Sequence, residues 1–182
     1  IIAFLQDIFL NFSNIAEDKH INFMFLPFDK SYKLYVDRNY LDKIIYNLLS
    51  NALKYTPSHG DVVLRVSLNN NQRLLISVED TGVGVEKSKQ KLLFQRFNRS
   101  SYSHDSIGIG LHLTAELVRV HHGEISYHDN QPHGSIFLVE LPVDEKVYEE
   151  KDFMVADNAV MMEENSKPRT ALELEYREMP PK

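Results

Sequence analysis

Asn47-Leu48-Leu49-Ser50-Asn51-Ala52-Leu53-Lys54 closes the pattern from which the rest of the chain is read. Apolar residues fall at Leu41, Ile44, Ile45, Leu48, Leu49, Ala52 and Leu53, the spacing of a helix with one buried face, and Asp37 stands where its N-cap belongs. Pro57 and Gly60 end the pattern. Asn47, Asn51 and Lys54 lie at i, i+4 and i+7, so they share one strip beside the apolar face. A polar strip in that position lines a pocket rather than facing bulk water. Isolated asparagines more often cap or bond nearby backbone, so the neighbouring segments decide between the two readings.

Working outward, Val62 to Leu68 and Leu74 to Val78 alternate as half-buried strands do, with Asn69 to Gln72 turning one into the next. Period two carries the inward face of Leu74, Ile76 and Val78 on to Asp80, just as the strand ends. Upstream, Ile1, Leu5, Ile8, Phe9 and Phe12 predict one helix over Ile1 to Glu17. Ile21 to Phe28 and Tyr32 to Val36, broken by Pro27 to Ser31, read as a short pair of strands. Downstream, Gly82 to Ile107 is irregular apart from an apolar knot at Leu92, Leu93, Phe94 and Phe97, a length that suits a functional lid. Leu111 to Val120 reads as a helix capped at Gly123, followed by strands Glu124 to His128 and Ser135 to Leu141 around a turn at Pro132 to Gly134.

Composition bounds the answer. A chain of 182 residues with 43% hydrophobic content supports one compact domain and a tail. With no cysteine there is no disulfide framework and no thiolate metal site, as expected of a reducing compartment. A net charge of -6 argues against nucleic acid as the main ligand. Gln6, Asp7 and Asn11 interrupt the apolar start well before the roughly 20 residues a membrane span needs, so no membrane contact is expected from this stretch. The start also lacks the features of a signal peptide and reads as a cut from a longer chain. Beyond Pro142 acidic residues dominate and periodicity fades, which predicts a mobile linker. The expected division is therefore 1–143, with 1–20 a leading helix, and 144–182 a tail.

Two further motifs give the asparagine strip its meaning. Asp80-Thr81-Gly82-Val83-Gly84 places a buried carboxylate beside two glycines, and a buried charge must find donors. The exocyclic amine of adenine is such a donor, and Gly82 and Gly84 let the backbone approach a flat base. Gly108-Ile109-Gly110-Leu111 stands directly before the predicted helix, whose free amides and dipole suit phosphate. Each motif alone is an ordinary turn or hinge. Their order within about sixty residues points to a nucleotide. Magnesium takes oxygen ligands, commonly one or two from protein and the rest from phosphates and water, and Asn51 is the expected protein ligand.

With these motifs in place, the chain resembles the catalytic ATP-binding domain of bacterial sensor histidine kinases, within the superfamily that includes gyrase, Hsp90 and MutL ATPases. The resemblance covers about residues 21–143. Asn47 to Pro57 is similar to the family's N box, which implies Mg²⁺ binding by Asn51 and nucleotide contacts by Asn47, Lys54 and Tyr55. Asp80, Gly82 and Gly84 match the first glycine box, whose aspartate reads the adenine amine. Leu93-Phe94-Gln95-Arg96-Phe97-Asn98-Arg99 resembles the F box of the lid, which implies that Phe94 and Phe97 anchor it and that Arg99 reaches the phosphates. Gly108, Gly110 and Leu111 match the last glycine box. Two positions depart from the pattern: Ser106 stands where that box opens with glycine, and Asn98 where an aromatic residue is frequent. The implied fold is a two-layer α/β sandwich, α+β in class, with a mixed, mostly antiparallel sheet covered on one face by helices.

The resemblance also implies a mechanism. Gyrase-type ATPases carry a glutamate four residues before the metal-binding asparagine, whereas position 47 here is Asn, and an amide cannot serve as a general base. ATP would then be held for transfer of its γ-phosphate to a histidine on a separate dimerisation domain, in a cytoplasmic part of an inner-membrane, homodimeric sensor. The acidic tail resembles linkers that lead to a receiver domain. No acceptor histidine is evident: Ile21-Asn22-Phe23 after His20 is unlike the acceptor motif, so His20 reads as a surface residue. His121-His122 reads as a pair at a helix C-terminus favoured by the dipole, and Ser103-His104-Asp105 as consecutive lid residues that do not converge as a triad. Two rivals stand beside this reading, a degenerate nucleotide-binding module without kinase activity and an ATP-hydrolysing clamp.

Overall fold

The computed structural model describes residues 1–28, 34–95 and 107–148. Residues Ile1–Val147 form one unit. Among the described residues five strands make a single sheet: β1 (Asn22–Leu26), β2 (Asp61–Leu68), β3 (Arg73–Asp80), β4 (Glu124–Asp129) and β5 (Ser135–Pro142), in the order β1-β2-β3-β5-β4. Only β1 and β2 run parallel, joined by a crossover through a helix; the other pairs are antiparallel. The mixed, mostly antiparallel sandwich is therefore as the sequence predicts.

That crossover helix, α3, spans Arg38–Tyr55. The Asp37 carboxylate accepts from the amides of Asn39 and Tyr40 at 2.8 and 3.1 Å, satisfying two of the orphan donors of the first turn. At the other end the Thr56 hydroxyl donates to the Ala52 carbonyl at 2.6 Å, and Pro57 follows. All seven apolar residues named above are buried. They meet Val62, Leu64 and Val66 of β2, Leu74, Ile76 and Val78 of β3, and Phe137, Val139 and Leu141 of β5 in one cluster. Alternate strand residues thus face the helices. On the other face Arg65 pairs with Glu79 at 2.8 Å, and that guanidinium holds the Glu79 carboxyl below its usual range.

The leading helix is two helices, α1 (Ile2–Leu10) and α2 (Ser13–Asp18). The break at Asn11 and Phe12 turns Phe12 into the core, where its ring meets Tyr46 at 4.8 Å. The expected strand over Tyr32 to Val36 is absent where it is described: residues 34–36 are irregular, and 32 and 33 lie outside the described residues. Leu34 and Val36 still pack on the core, but from irregular backbone outside the five-stranded sheet. A short helix, α4 (Lys87–Gln90), interrupts the segment expected to be irregular. The tail over 149–182 lies outside the described residues, and no described helix is long and apolar enough to cross a membrane.

Helix α5 (Ile107–Val120) begins four residues earlier than expected and ends just before His121. His121 is buried, and its two nitrogens identify its tautomer. Nδ1 lies 2.7 Å from the Leu117 carbonyl, which only accepts, so Nδ1 carries the proton. Nε2 accepts from the Asp37 amide at 3.0 Å, tying the end of α5 to the cap of α3. Burial pushes the imidazole pKa down, so His121 is a neutral structural link and not the dipole-favoured cation the sequence suggested. A depressed folded pKa means that the unfolded chain takes up the proton first. Its stabilisation is therefore intact above the usual value near 6.5 and is lost as pH falls from there through the folded value. In thermal unfolding, the stability advantage of the parent over His121→Leu should narrow as pH drops below about 6.5. A constant gap from about pH 7.5 to 5 would contradict the assignment.

Candidate functional site

The C-terminal end of β3 opens on a cavity of about 400 Å³ bounded by α3, the loop after β3, and the start of α5. Asp80, the last residue of β3, lies between Val62 on one side and Ser135 on the other. Its side chain is buried, and Oδ1 accepts from the amides of Gly82 at 2.8 Å and Ser135 at 3.2 Å. Burial raises the Asp80 pKa, opposed by those amide donors and by the Ser135 hydroxyl. The carboxylate is thus fixed in orientation while its other side faces the cavity it lines.

The glycines behave differently from one another. Gly82 passes so close to the end of α3 that a Cβ would meet the Tyr55 carbonyl oxygen at 2.5 Å. Gly84 has φ of +67°, a left-handed conformation that glycine adopts without strain. Gly108 and Gly110 do not precede α5 but are its second and fourth residues, still within the turn whose amides have no intrahelical acceptor. Gly110 has a second reason to be glycine: a Cβ there would lie 2.5 Å from Asn47 Oδ1. Asn47 Nδ2 donates to Thr114 Oγ1 at 2.7 Å, and that hydroxyl donates to the Gly110 carbonyl at 2.9 Å.

Of the residues expected at the site, Asn51, Tyr55, Asp80, Gly84 and Leu111 line the cavity. Asn47 sits between α3 and α5. Lys54 is exposed, with Nζ 5.7 Å from the centroid of the Tyr55 ring, and does not line the cavity. Phe94 is half-buried, edge-on to Phe137 at 6.4 Å, and its carbonyl lies 3.0 Å from His112 Nδ1. Phe97, Arg99, Asn98, Ser106 and the Ser103-His104-Asp105 run lie outside the described residues.

Sequence reasoning missed the contribution of the β4–β5 hairpin. Asn130 Nδ2 donates to the Asp80 carbonyl at 2.8 Å, and the Asn130 amide donates to the Gly134 carbonyl at 3.1 Å. His133 Nδ1 lies 3.3 Å from the Gly82 carbonyl. The only sequence signal here is the Pro132-His133-Gly134 turn, which carries no hint of what it touches.

Residues 36–145 match the sequence model of the histidine kinase-, DNA gyrase B- and HSP90-like ATPases. The chain belongs to this family. Its relatives include the sensor histidine kinase TmoS of Ectopseudomonas mendocina, 34% identical over 91% of this chain and 17% of that protein. Histidine kinase P4 of Formosa agariphila is 30% identical over 79% of this chain and 11% of its own length. The chain thus spans less than a fifth of either relative. Among solved structures, full-length ShkA in complex with AMPPNP superposes with a TM-score of 0.68 at 26% identity, covering 78% of this chain and 29% of that one. The isolated catalytic domain of the histidine kinase ThkA superposes with a TM-score of 0.69, covering 78% of this chain and 92% of that one, and at 20% identity shows the shared fold. This is therefore a member of the ATPase family whose named relatives are sensor histidine kinases of two-component systems.

Proposed function

We propose that this domain holds Mg²⁺-ATP and donates its γ-phosphate to a histidine on a separate dimerisation domain of the same sensor. The observation that carries this reading is the state of the polar groups around the cavity. Asn47, where a hydrolytic relative needs a base, is an amide already bonded to Thr114. Of the two carboxylates that line the cavity, Asp80 is oriented by the backbone amides of Gly82 and Ser135, and Glu86 is an exposed side chain paired with Lys89 at 3.1 Å. The position from which a hydrolytic relative activates water thus carries no base, which disfavours the hydrolysing clamp.

In the transfer, the bond from the γ-phosphorus to the β–γ bridging oxygen breaks, a bond to the acceptor imidazole nitrogen forms, and ADP leaves as the imidazole proton passes to solvent. Such a step needs chiefly positioning and charge neutralisation. Asp80 would accept from the adenine amine, and the first-turn amides of α5 at Gly108 and Gly110 would face the phosphates. Lys54 and Arg99 remain proposed phosphate contacts of the closed complex.

Asn51 fits a metal ligand: it is half-buried on the cavity wall with an amide oxygen to offer. Among the described residues no trio of histidine and carboxylate groups could hold a metal, so a cation here would share its coordination with phosphate oxygens and water, as Mg²⁺ commonly does. When bound, Mg²⁺ neutralises phosphate charge. Asn51→Ala should raise the Mg²⁺ concentration needed for half-maximal ATP binding by about tenfold, while metal-free nucleotide binds as before. An unchanged Mg²⁺ requirement would remove Asn51 from the metal.

This reading makes the chain a cytoplasmic part of a dimeric inner-membrane sensor, with a receiver domain as the onward acceptor. The test is to mix the domain with the parent's dimerisation domain and ATP. Acid-labile phosphohistidine is expected, whereas ATP binding without phosphohistidine would leave a nucleotide-binding module.

A further inference from the structure

The loop that walls the cavity opposite α3 runs from Val83 to Glu86, and Val85 is held at both of its polar backbone atoms. The Val85 amide donates to Tyr127 Oη at 3.1 Å, and its carbonyl accepts from Gln90 Nε2 at 2.9 Å. These two side chains converge on one carboxylate oxygen: Tyr127 Oη donates to Asp129 Oδ1 at 3.1 Å, and Gln90 Nε2 donates to the same atom at 2.8 Å. Val85, Tyr127, Asp129 and Gln90 therefore close a ring of four hydrogen bonds between the cavity wall and strand β4. Burial raises the Tyr127 pKa, so its hydroxyl stays protonated and able to donate to Asp129 while accepting from Val85.

The ring is joined to the base-reading carboxylate. The Ser135 amide donates to Asp80 Oδ1 at 3.2 Å, and Ser135 is the cross-strand partner of Asp129. Asp129, Ser135 and Asp80 are thus Cα partners across β4, β5 and β3, and Tyr127 lies two residues before Asp129 on the same face. The Tyr127 ring is fixed by Phe137 at 5.3 Å, itself a lining residue.

We propose that Tyr127 is a positioning residue for nucleotide binding, setting through the Asp129–Gln90 ring the distance between the Val83–Glu86 wall and Asp80. This rests on the nucleotide reading of the cavity. Tyr127 touches no substrate in this role. Its hydroxyl replaces a water as the acceptor for Val85, so the wall is pre-formed and does not have to be ordered by the ligand.

Tyr127→Phe tests this because it keeps the ring packing and removes only the hydroxyl. Two measurements are made on the variant, amide exchange and calorimetric titration with ATP and ADP. The Val85 amide should exchange at least about tenfold faster while core amides at Ile76 and Val139 are unchanged, and affinity for both nucleotides should fall about fivefold. Asp129→Ala should give a similar loss, and the double variant should be no worse than Asp129→Ala alone, since the three groups act as one unit. Unchanged Val85 exchange, or unchanged affinity with faster exchange, overturns the proposal, as does strict additivity in the double variant. The parent protein separates the two failures: if it binds neither ATP nor ADP, the nucleotide reading fails, whereas the Val85 exchange result judges the ring without any nucleotide.

Discussion

Asp80→Asn is expected to lower ATP affinity by about 30- to 150-fold, equivalent to about 2–3 kcal/mol. The change is nearly isosteric, so the outcome turns on which end of the amide faces the cavity. Oδ1 already accepts from the Gly82 and Ser135 amides, and only an oxygen can take those two bonds. The asparagine must therefore put its carbonyl on the protein and its NH₂ toward the ligand, where an adenine amine would then meet a donor instead of an acceptor. Because the backbone donors stay satisfied, the domain should keep its fold, which urea denaturation would verify. Equal ATP affinity in Asp80→Asn and the parent by titration calorimetry would sink the assignment of the base site.

Gly134→Ala is expected to be the most damaging single methyl in the described chain, with a loss of more than about 3 kcal/mol. A Cβ at this position would lie 1.9 Å from the Asp80 carbonyl oxygen and 2.8 Å from Asp80 C and Thr81 Cα. All three are backbone atoms in the same tight junction, so no side chain can swing away. The φ of +115° adds strain that any L-residue would feel. Gly84→Ala offers the contrast, since its φ is +67° and its nearest contact would be the Gly134 oxygen at 3.2 Å, a cost of about 1–2 kcal/mol. Denaturation midpoints should therefore rank parent, Gly84→Ala, Gly134→Ala from highest to lowest. A Gly134→Ala protein as stable as the parent would mean that the hairpin does not press on Asp80.

What could be read in the sequence was what is local. Helix α3 announces itself through a cap, a 3.6-residue rhythm and a proline stop, all within about twenty residues. Asp80 could be placed on the inner face because period two is rigid once Leu74, Ile76 and Val78 are fixed as core. The split between α1 and α2 was not legible, because Phe12 is drawn inward by Tyr46, a partner on another helix. The segment with Leu34 and Val36 has strand-like composition but spends its apolar side chains on the core without pairing to the sheet, a tertiary choice that composition does not encode. His121 was misread because a helix-end position suggests charge, whereas burial and the Asp37 amide demand a neutral ring. Tyr127, Asn130, Gly134 and Ser135 reach the site from about fifty residues away through the register of β5 on β3, and nothing periodic in a sequence encodes that.

The contact between Asn47 and Gly110 has a mechanical consequence. The amide oxygen occupies the space where a Cβ would stand, so α5 has no room to move closer to α3, and the bond from Nδ2 to Thr114 resists moving apart. Near its other end α5 is clasped again, by His121 on the amide of Asp37. Two clasps, one toward each end of α5, hold it to α3 against both sliding and separation. The start of α3 and the first turns of α5, which lead to Leu111 on the cavity wall, are therefore coupled through two separate contacts.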